Sequence, residues 1–168
     1  MKSFFGVTGL VIVLTGCASV RAEEPRVLPA ELVAGVGVLN VFNDSADAQL
    51  MGTLEYRFDE IDWSIRPWVG LAKSERGTHF ASAGLLYTYR TANGLRLSAG
   101  WAPTYYDRGS GQNLGSDLQF LSFGEIGYVL KNRQIVGVRF GHLSNGGFSK
   151  PNPGIETLEL TYSLPLGR

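Results

Sequence analysis

The stretch Gln134-Ile-Val-Gly-Val-Arg-Phe-Gly-His-Leu-Ser-Asn145 alternates in the manner of a strand and not of a helix. Successive side chains of a strand point to opposite faces, so residues two apart share one. Val136, Val138, Phe140, His142 and Ser144 fall on one side; Ile135, Gly137, Arg139 and Gly141 fall on the other. An imidazole and a hydroxyl therefore stand side by side on the greasy face. A base and a nucleophile placed there suit a substrate that is itself a lipid.

Working outward, the same pattern recurs. Eight segments, roughly 31–42, 48–58, 63–73, 79–90, 94–106, 117–130, 134–145 and 155–166, are separated by turn-rich breaks. Strands of about ten residues in an even number are the pattern of an all-β, eight-stranded antiparallel transmembrane β-barrel of the outer-membrane type. In the third segment Trp63, Ile65, Pro67, Val69 and Leu71 share one face, against Ser64, Arg66, Trp68, Gly70 and Ala72. The fifth sets Leu95, Leu97, Ala99, Trp101 and Tyr105 against Arg96, Ser98, Gly100 and Thr104. In the last, Leu158, Leu160, Tyr162, Leu164 and Leu166 oppose Thr157, Glu159, Thr161 and Ser163. Pro67 conflicts with a regular strand unless the ladder accommodates it.

The polar face carries Glu55, Arg57, Arg66, Arg96, Glu125, Arg139 and Glu159. Mixed signs at interior positions predict a pairing network that plugs the lumen, and eight strands leave room only for side chains. That argues against a porin. Alternation alone does not say which face is inward, since a soluble barrel would bury the apolar parity. Tyr56, Trp63, Trp101 and Tyr105 near strand ends, together with the N-terminal segment, favour membrane insertion.

That N-terminal segment reads as a signal peptide over residues 1–22. Lys2 precedes an apolar stretch from Phe4 to Gly16, and Val20 and Ala22 are placed for cleavage before Glu23. Leu14-Thr15-Gly16-Cys17 also resembles a bacterial lipobox, which would lipidate Cys17; ordinary cleavage is the favoured reading. Residues 23–168 then form a single barrel domain. After such cleavage the mature chain lacks cysteine, hence disulfides and a thiol nucleophile. The 168 residues carry 15 basic and 15 acidic side chains, with no basic stripe interleaved with aromatics, so nucleic acid is not an expected partner.

Break lengths predict orientation. The breaks at 43–47, 74–78, 107–116 and 146–154 are longer on the whole than those at 59–62, 91–93 and 131–133. Outer-membrane barrels turn tightly on the periplasmic side and loop out on the other. His142 and Ser144 then lie level with the outer leaflet. The glycine-rich stretch 109–115 reads as a flexible external loop, and His79 as a structural residue.

A serine nucleophile needs a base, and the base works better with a carboxylate fixing its tautomer. Glu156 and Glu159 are both on the next strand; Glu156 has the parity of Leu158 and Leu160, while Glu159 falls in the lumen. An ionised carboxylate facing hydrocarbon is costly unless partnered, and His142 would be such a partner. Here the chain resembles a known family. His142-Leu143-Ser144-Asn145, followed by Asn152-Pro153-Gly154-Ile155-Glu156 before a terminal strand, is similar to the signature of the PagL-type lipid A 3-O-deacylases. Those are eight-stranded outer-membrane barrels with a Ser-His-Glu triad opening toward the lipid. The resemblance implies Ser144 as nucleophile, His142 as general base and Glu156 as its orienter, with Asn145 and Asn152 supporting the site and its oxyanion hole. Backbone N–H groups around Gly146 and Gly147 are further candidate donors.

The implied reaction is hydrolysis of the 3-O-linked hydroxyacyl chain of lipid A in lipopolysaccharide. With no metal-ligand cluster and no glycine-rich phosphate loop after a strand, neither metal nor other cofactor is expected. Lys73, Arg76, Arg108 and Lys150 fall at the outer rim, where they could hold phosphate or be ordinary solvated charges. A barrel of this size is expected as a monomer or homodimer. Two other readings stay open at this point: a non-catalytic barrel, adhesin or structural, and a lipid acyltransferase using the same nucleophile.

Overall fold

In a computed structural model, in which residues 27–42 and 48–167 are described, the alternation closes into a barrel. Its strands are β1 (Glu31–Leu39), β2 (Gln49–Arg57), β3 (Ile65–Ser74), β4 (His79–Arg90), β5 (Leu95–Asp107), β6 (Leu118–Val129), β7 (Ile135–Ser144) and β8 (Ile155–Pro165). Each pairs antiparallel with its sequence neighbour, and β1 pairs with β8, so no edge is left open. The segment read as a signal peptide, Cys17 and the break 43–47 lie outside the described residues.

The apolar parity faces outward. Leu54, Leu71, Leu85, Ile126, Val138 and Leu160 expose between 48% and 64% of their surface. A soluble barrel would bury such residues; a barrel whose solvent is hydrocarbon does not need to. The polar parity is inside. Arg57 donates to Glu125 at 3.0 and 2.8 Å, and Arg139 bridges Glu125 (2.8 Å) and Glu55 (3.0 Å through Nη2). Glu31, absent from the sequence-derived set because the first strand is apolar on both faces, accepts from Arg96 at 2.7 Å and pairs with Arg66 at 3.1 Å. Four buried glutamates (Glu31, Glu55, Glu125, Glu159) thus face four buried arginines (Arg57, Arg66, Arg96, Arg139), a neutral plug. The rest of the lumen is filled by an apolar cluster that includes Trp68, Phe123, Leu143, Ile155 and Leu114. Trp68 and Phe123 meet edge to face at 5.4 Å, with the Arg139 guanidinium 4.3 Å from the Phe123 ring centre.

Two strand boundaries differ from the sequence reading by more than one residue. Trp63 and Ser64 adopt left-handed backbone (φ +54° and +62°), so the third strand begins at Ile65 and Trp63 sits on the preceding turn, 88% exposed. The first strand stops at Leu39 because Asn40 turns left-handed (φ +67°). Pro67 is accommodated at the end of the β2–β3 ladder. Its carbonyl accepts from Phe58 N–H at 3.0 Å, and the Phe58 carbonyl, which a proline cannot serve, takes Arg66 Nε–H at 3.0 Å instead.

Candidate active site

Strand β7 carries His142 and Ser144 outward, two residues apart, near its loop-side end. The β7–β8 register puts His142 directly opposite Glu156, and on that shared outer face His142 Nδ1 lies 3.3 Å from Glu156 Oε1. A one-residue slip of β8 would turn Glu156 into the lumen, so the pair exists only because of this register. Their side chains are 44% and 25% exposed, half-sheltered at the barrel wall. Glu156 is also held through its backbone: its carbonyl accepts from Asn40 N–H at 2.7 Å and Val41 N–H at 3.3 Å. Glu159, its rejected rival, is in the lumen with Thr53 donating to it at 3.0 Å.

The ring is fixed from a second side. Gly154 has φ +73°, and a Cβ built there would stand 2.7 Å from His142 Cε1. In the sequence Asn152-Pro153-Gly154 is only part of the family-like signature. That its glycine packs against the imidazole is a tertiary fact. In the tautomer that carries its proton on Nδ1, that proton points to Glu156 Oε1 and the lone pair lies on Nε2.

The loop 145–154 is built around Asn145, which is 1% exposed. Its Nδ2 group donates to Leu114 O (2.7 Å) and Ser149 Oγ (2.8 Å) and lies within reach of Ser149 O (3.0 Å) and Pro151 O (3.2 Å). Its Oδ1 accepts Gly147 N–H at 2.8 Å, and its own N–H donates to Asn152 Oδ1 at 3.0 Å. Asn145 is therefore a loop organiser, with its amide and the Gly147 N–H already engaged. The Asn152 Nδ2 group and the Gly146 N–H make no hydrogen bond among the described residues, so they can donate elsewhere. The same network ties down the stretch 109–115 that was expected to be flexible. Leu114 is buried in the barrel mouth, and Tyr106 OH donates to Gln112 O at 2.9 Å.

Aromatic rings flank the site. Phe120, opposite Ser144 in the β6–β7 register, stacks on Trp101 at 5.7 Å and meets Phe148 at 5.8 Å. On the other side Phe42 packs on Phe140 at 5.7 Å. Of these rings the sequence puts only Phe140 on the face of His142; Phe120 and Phe148 become visible only through pairing and loop fold. Of the rim cations, Lys150 shares the site loop, whereas Lys73, Arg76 and Arg108 sit at β3 to β5. In an eight-strand ring β3 lies diametrically across from β7.

Comparison with known proteins shows a family and a fold. Residues 45–165 match the family model described as lipid A 3-O-deacylase (PagL). The chain is 30% identical over 98 residues to a lipid A deacylase PagL of Bordetella bronchiseptica, covering 57% of this chain and 55% of that one. It is 36% identical over 95 residues to the lipid A deacylase PagL of Pseudomonas aeruginosa, covering 54% and 55%. The matched region thus spans about half the length of these curated relatives. A crystal structure of the outer membrane enzyme PagL superposes with a TM-score of 0.65 at 26% identity, covering 81% of this chain and 99% of that one.

Proposed function

Since the chain belongs to the lipid A 3-O-deacylase family, matching its model over residues 45–165, we propose that it is an outer-membrane ester hydrolase that removes the 3-O-linked acyl chain of lipid A. The observation that carries the reading is the His142–Glu156 pair, 3.3 Å apart on the lipid-facing side of β7 and β8 and in file with Ser144. A charged or hydrogen-bonding pair on a hydrocarbon face is expensive and persists where chemistry needs it.

In the proposed mechanism Ser144 Oγ attacks the ester carbonyl while His142 Nε2 takes the hydroxyl proton. Glu156 accepts Nδ1–H, holds that tautomer and stabilises the imidazolium. Two uncommitted donors on the site loop are assigned to the developing oxyanion: Asn152 Nδ2–H, whose amide is oriented by the Asn145 N–H on its oxygen, and the Gly146 N–H. Collapse passes the His142 proton to the sugar 3-oxygen, which leaves as an alcohol. Water, deprotonated by the same ring, then cleaves the Ser144 acyl ester and releases a free fatty acid. The rings of Trp101, Phe120 and Phe148 beside Ser144 supply apolar surface on which the departing acyl chain lies. The long-loop end of the barrel faces the cell exterior, which brings the site level with the outer leaflet.

The test is mass spectrometry of lipid A from cells producing the full chain, beside Ser144→Ala and His142→Ala. The wild type should remove one hydroxyacyl group, and each variant should lose at least about 10³-fold of the rate while its barrel stays folded. Full deacylation by either variant would refute that residue's role. Gain of an acyl chain would indicate transfer, and an unchanged lipid A an inert barrel.

A further inference from the structure

The wall opposite the catalytic pair is not smooth. Across β2 to β5 the outward positions Gly52 and Ala81 are small, and Leu54, Leu71 and Tyr105 stand around them. The result is a groove of about 530 Å³ in the outer surface, within the range of about 300–1,000 Å³ that small-ligand sites occupy. It lies in the loop-side half of the wall, the half assigned to the outer leaflet.

Its upper end is cationic. Lys73 lines the groove and stands between Gly52 and His79 in the register. It makes no ion pair among the described residues. Arg76 and Arg108 belong to the two loops directly above, which are joined by Thr78 Oγ1 donating to Arg108 O at 2.8 Å and Ser110 N–H to Arg76 O at 3.4 Å. Two acids also lie near and offset part of that charge, each turned toward a backbone N–H or a histidine. Glu75 accepts Leu50 N–H at 3.2 Å, and Asp107 accepts Gly109 N–H at 2.9 Å while its other oxygen lies 3.7 Å from His79 Nε2.

An apolar trough with a lysine at its upper end matches a lipid with an acyl chain below and a phosphate above. We propose that this groove is a second, non-catalytic station for lipid A, taking one acyl chain against Ala81 and a phosphate at Lys73. The assignment rests on the reading that lipid A is the substrate and surrounds this end of the barrel. Its bis-phosphorylated head group supplies the anionic charge that a zwitterionic phospholipid lacks. A second copy of the chain is a poorer occupant, because a twofold contact through this face would set Lys73 against Lys73. Lys73 thereby acquires a role that its distance from Ser144 denies it at the active site.

The experiment is native mass spectrometry of the full chain as Ser144→Ala in detergent, with bis-phosphorylated hexa-acyl lipid A as probe and monophosphoryl lipid A and phosphatidylethanolamine as comparisons. Two retained lipid A molecules per barrel are expected. Adding Ala81→Phe, which fills the trough, should leave one, and adding Lys73→Gln should cut the preference for the bis-phosphorylated form at least fivefold. Gel mobility of unheated samples confirms that each barrel is folded. A single retained lipid with or without Ala81→Phe overturns the proposal. So does equal retention of phosphatidylethanolamine, or a protein dimer peak that Ala81→Phe abolishes. Deacylation by the Ser144-intact chain is measured in parallel, so loss of the second station and failure of the catalytic reading are separable results.

Discussion

Gly154→Ala isolates the contact that positions the His142 ring. The added methyl would stand 2.7 Å from His142 Cε1, about 0.7 Å inside the 3.4 Å at which ordinary contact begins. The neighbour is a ring edge with no flexible end to swing aside, so the imidazole must retreat. Retreat by that amount lengthens the Nδ1–Oε1 hydrogen bond from 3.3 Å toward about 4 Å, where it no longer holds. Misplacement of a reacting group by about 1 Å costs on the order of 10²-fold in rate, so kcat should fall about 10- to 100-fold with KM changed little. The left-handed backbone at φ +73° adds a stability cost of about 1–2 kcal/mol for a residue with a Cβ. Gly77→Ala is the control: its φ is +85°, yet a Cβ there meets nothing within 4 Å. It should share the backbone cost and keep the rate. The assay is initial-rate release of fatty acid from lipid A in mixed micelles, normalised to folded barrel by gel mobility of unheated samples. A Gly154→Ala enzyme within twofold of wild type, folded, would refute the claim that this glycine positions His142.

Further expectations concern the pair, the loop and the lumen. Glu156→Gln keeps the shape but loses the charge facing His142 Nδ1, and kcat in the same micelle assay should drop about 10²-fold or more. Asn145→Ala removes the amide that ties Leu114, Ser149 and Gly147 together; thermal unfolding should show a loss of about 1–3 kcal/mol, with a rate loss larger than that of the unfolded fraction. Glu125→Gln weakens the partner shared by Arg57 and Arg139 inside the barrel. Unfolding in detergent should then register a loss of about 3–5 kcal/mol, while activity per folded molecule is retained because Glu125 bonds to Arg57 and Arg139 and not to His142, Ser144 or Glu156.

Which side chains share the outer face with His142 is legible in the sequence, for a simple reason. Parity along a strand is a local property, set by the pleat, so Val138, His142 and Ser144 could be assigned one face and Arg139 the other from the chain alone. The same rule separated Glu156 from Glu159, and the spacing of breaks marked eight strands and their two ends. Where local conformation departs from the pleat, the reading failed. Trp63 and Ser64 carry left-handed backbone that their residue types do not announce, and the strand began two residues late.

What tertiary structure alone decided is what depends on closure and register. That His142 meets Glu156, and not merely a residue of matching parity, follows from pairing of strands joined by a ten-residue loop. Glu31 enters the charge plug because β1 closes against β8, bringing it into reach of Arg66 and Arg96 from other staves. Gly154 touches the imidazole only once the turn folds back onto the wall. Lys73 and Lys150 look alike in sequence but stand on opposite sides of the cylinder. Alternation fixes which way a side chain points, whereas hydrogen-bonded pairing around a closed ring fixes what it points beside.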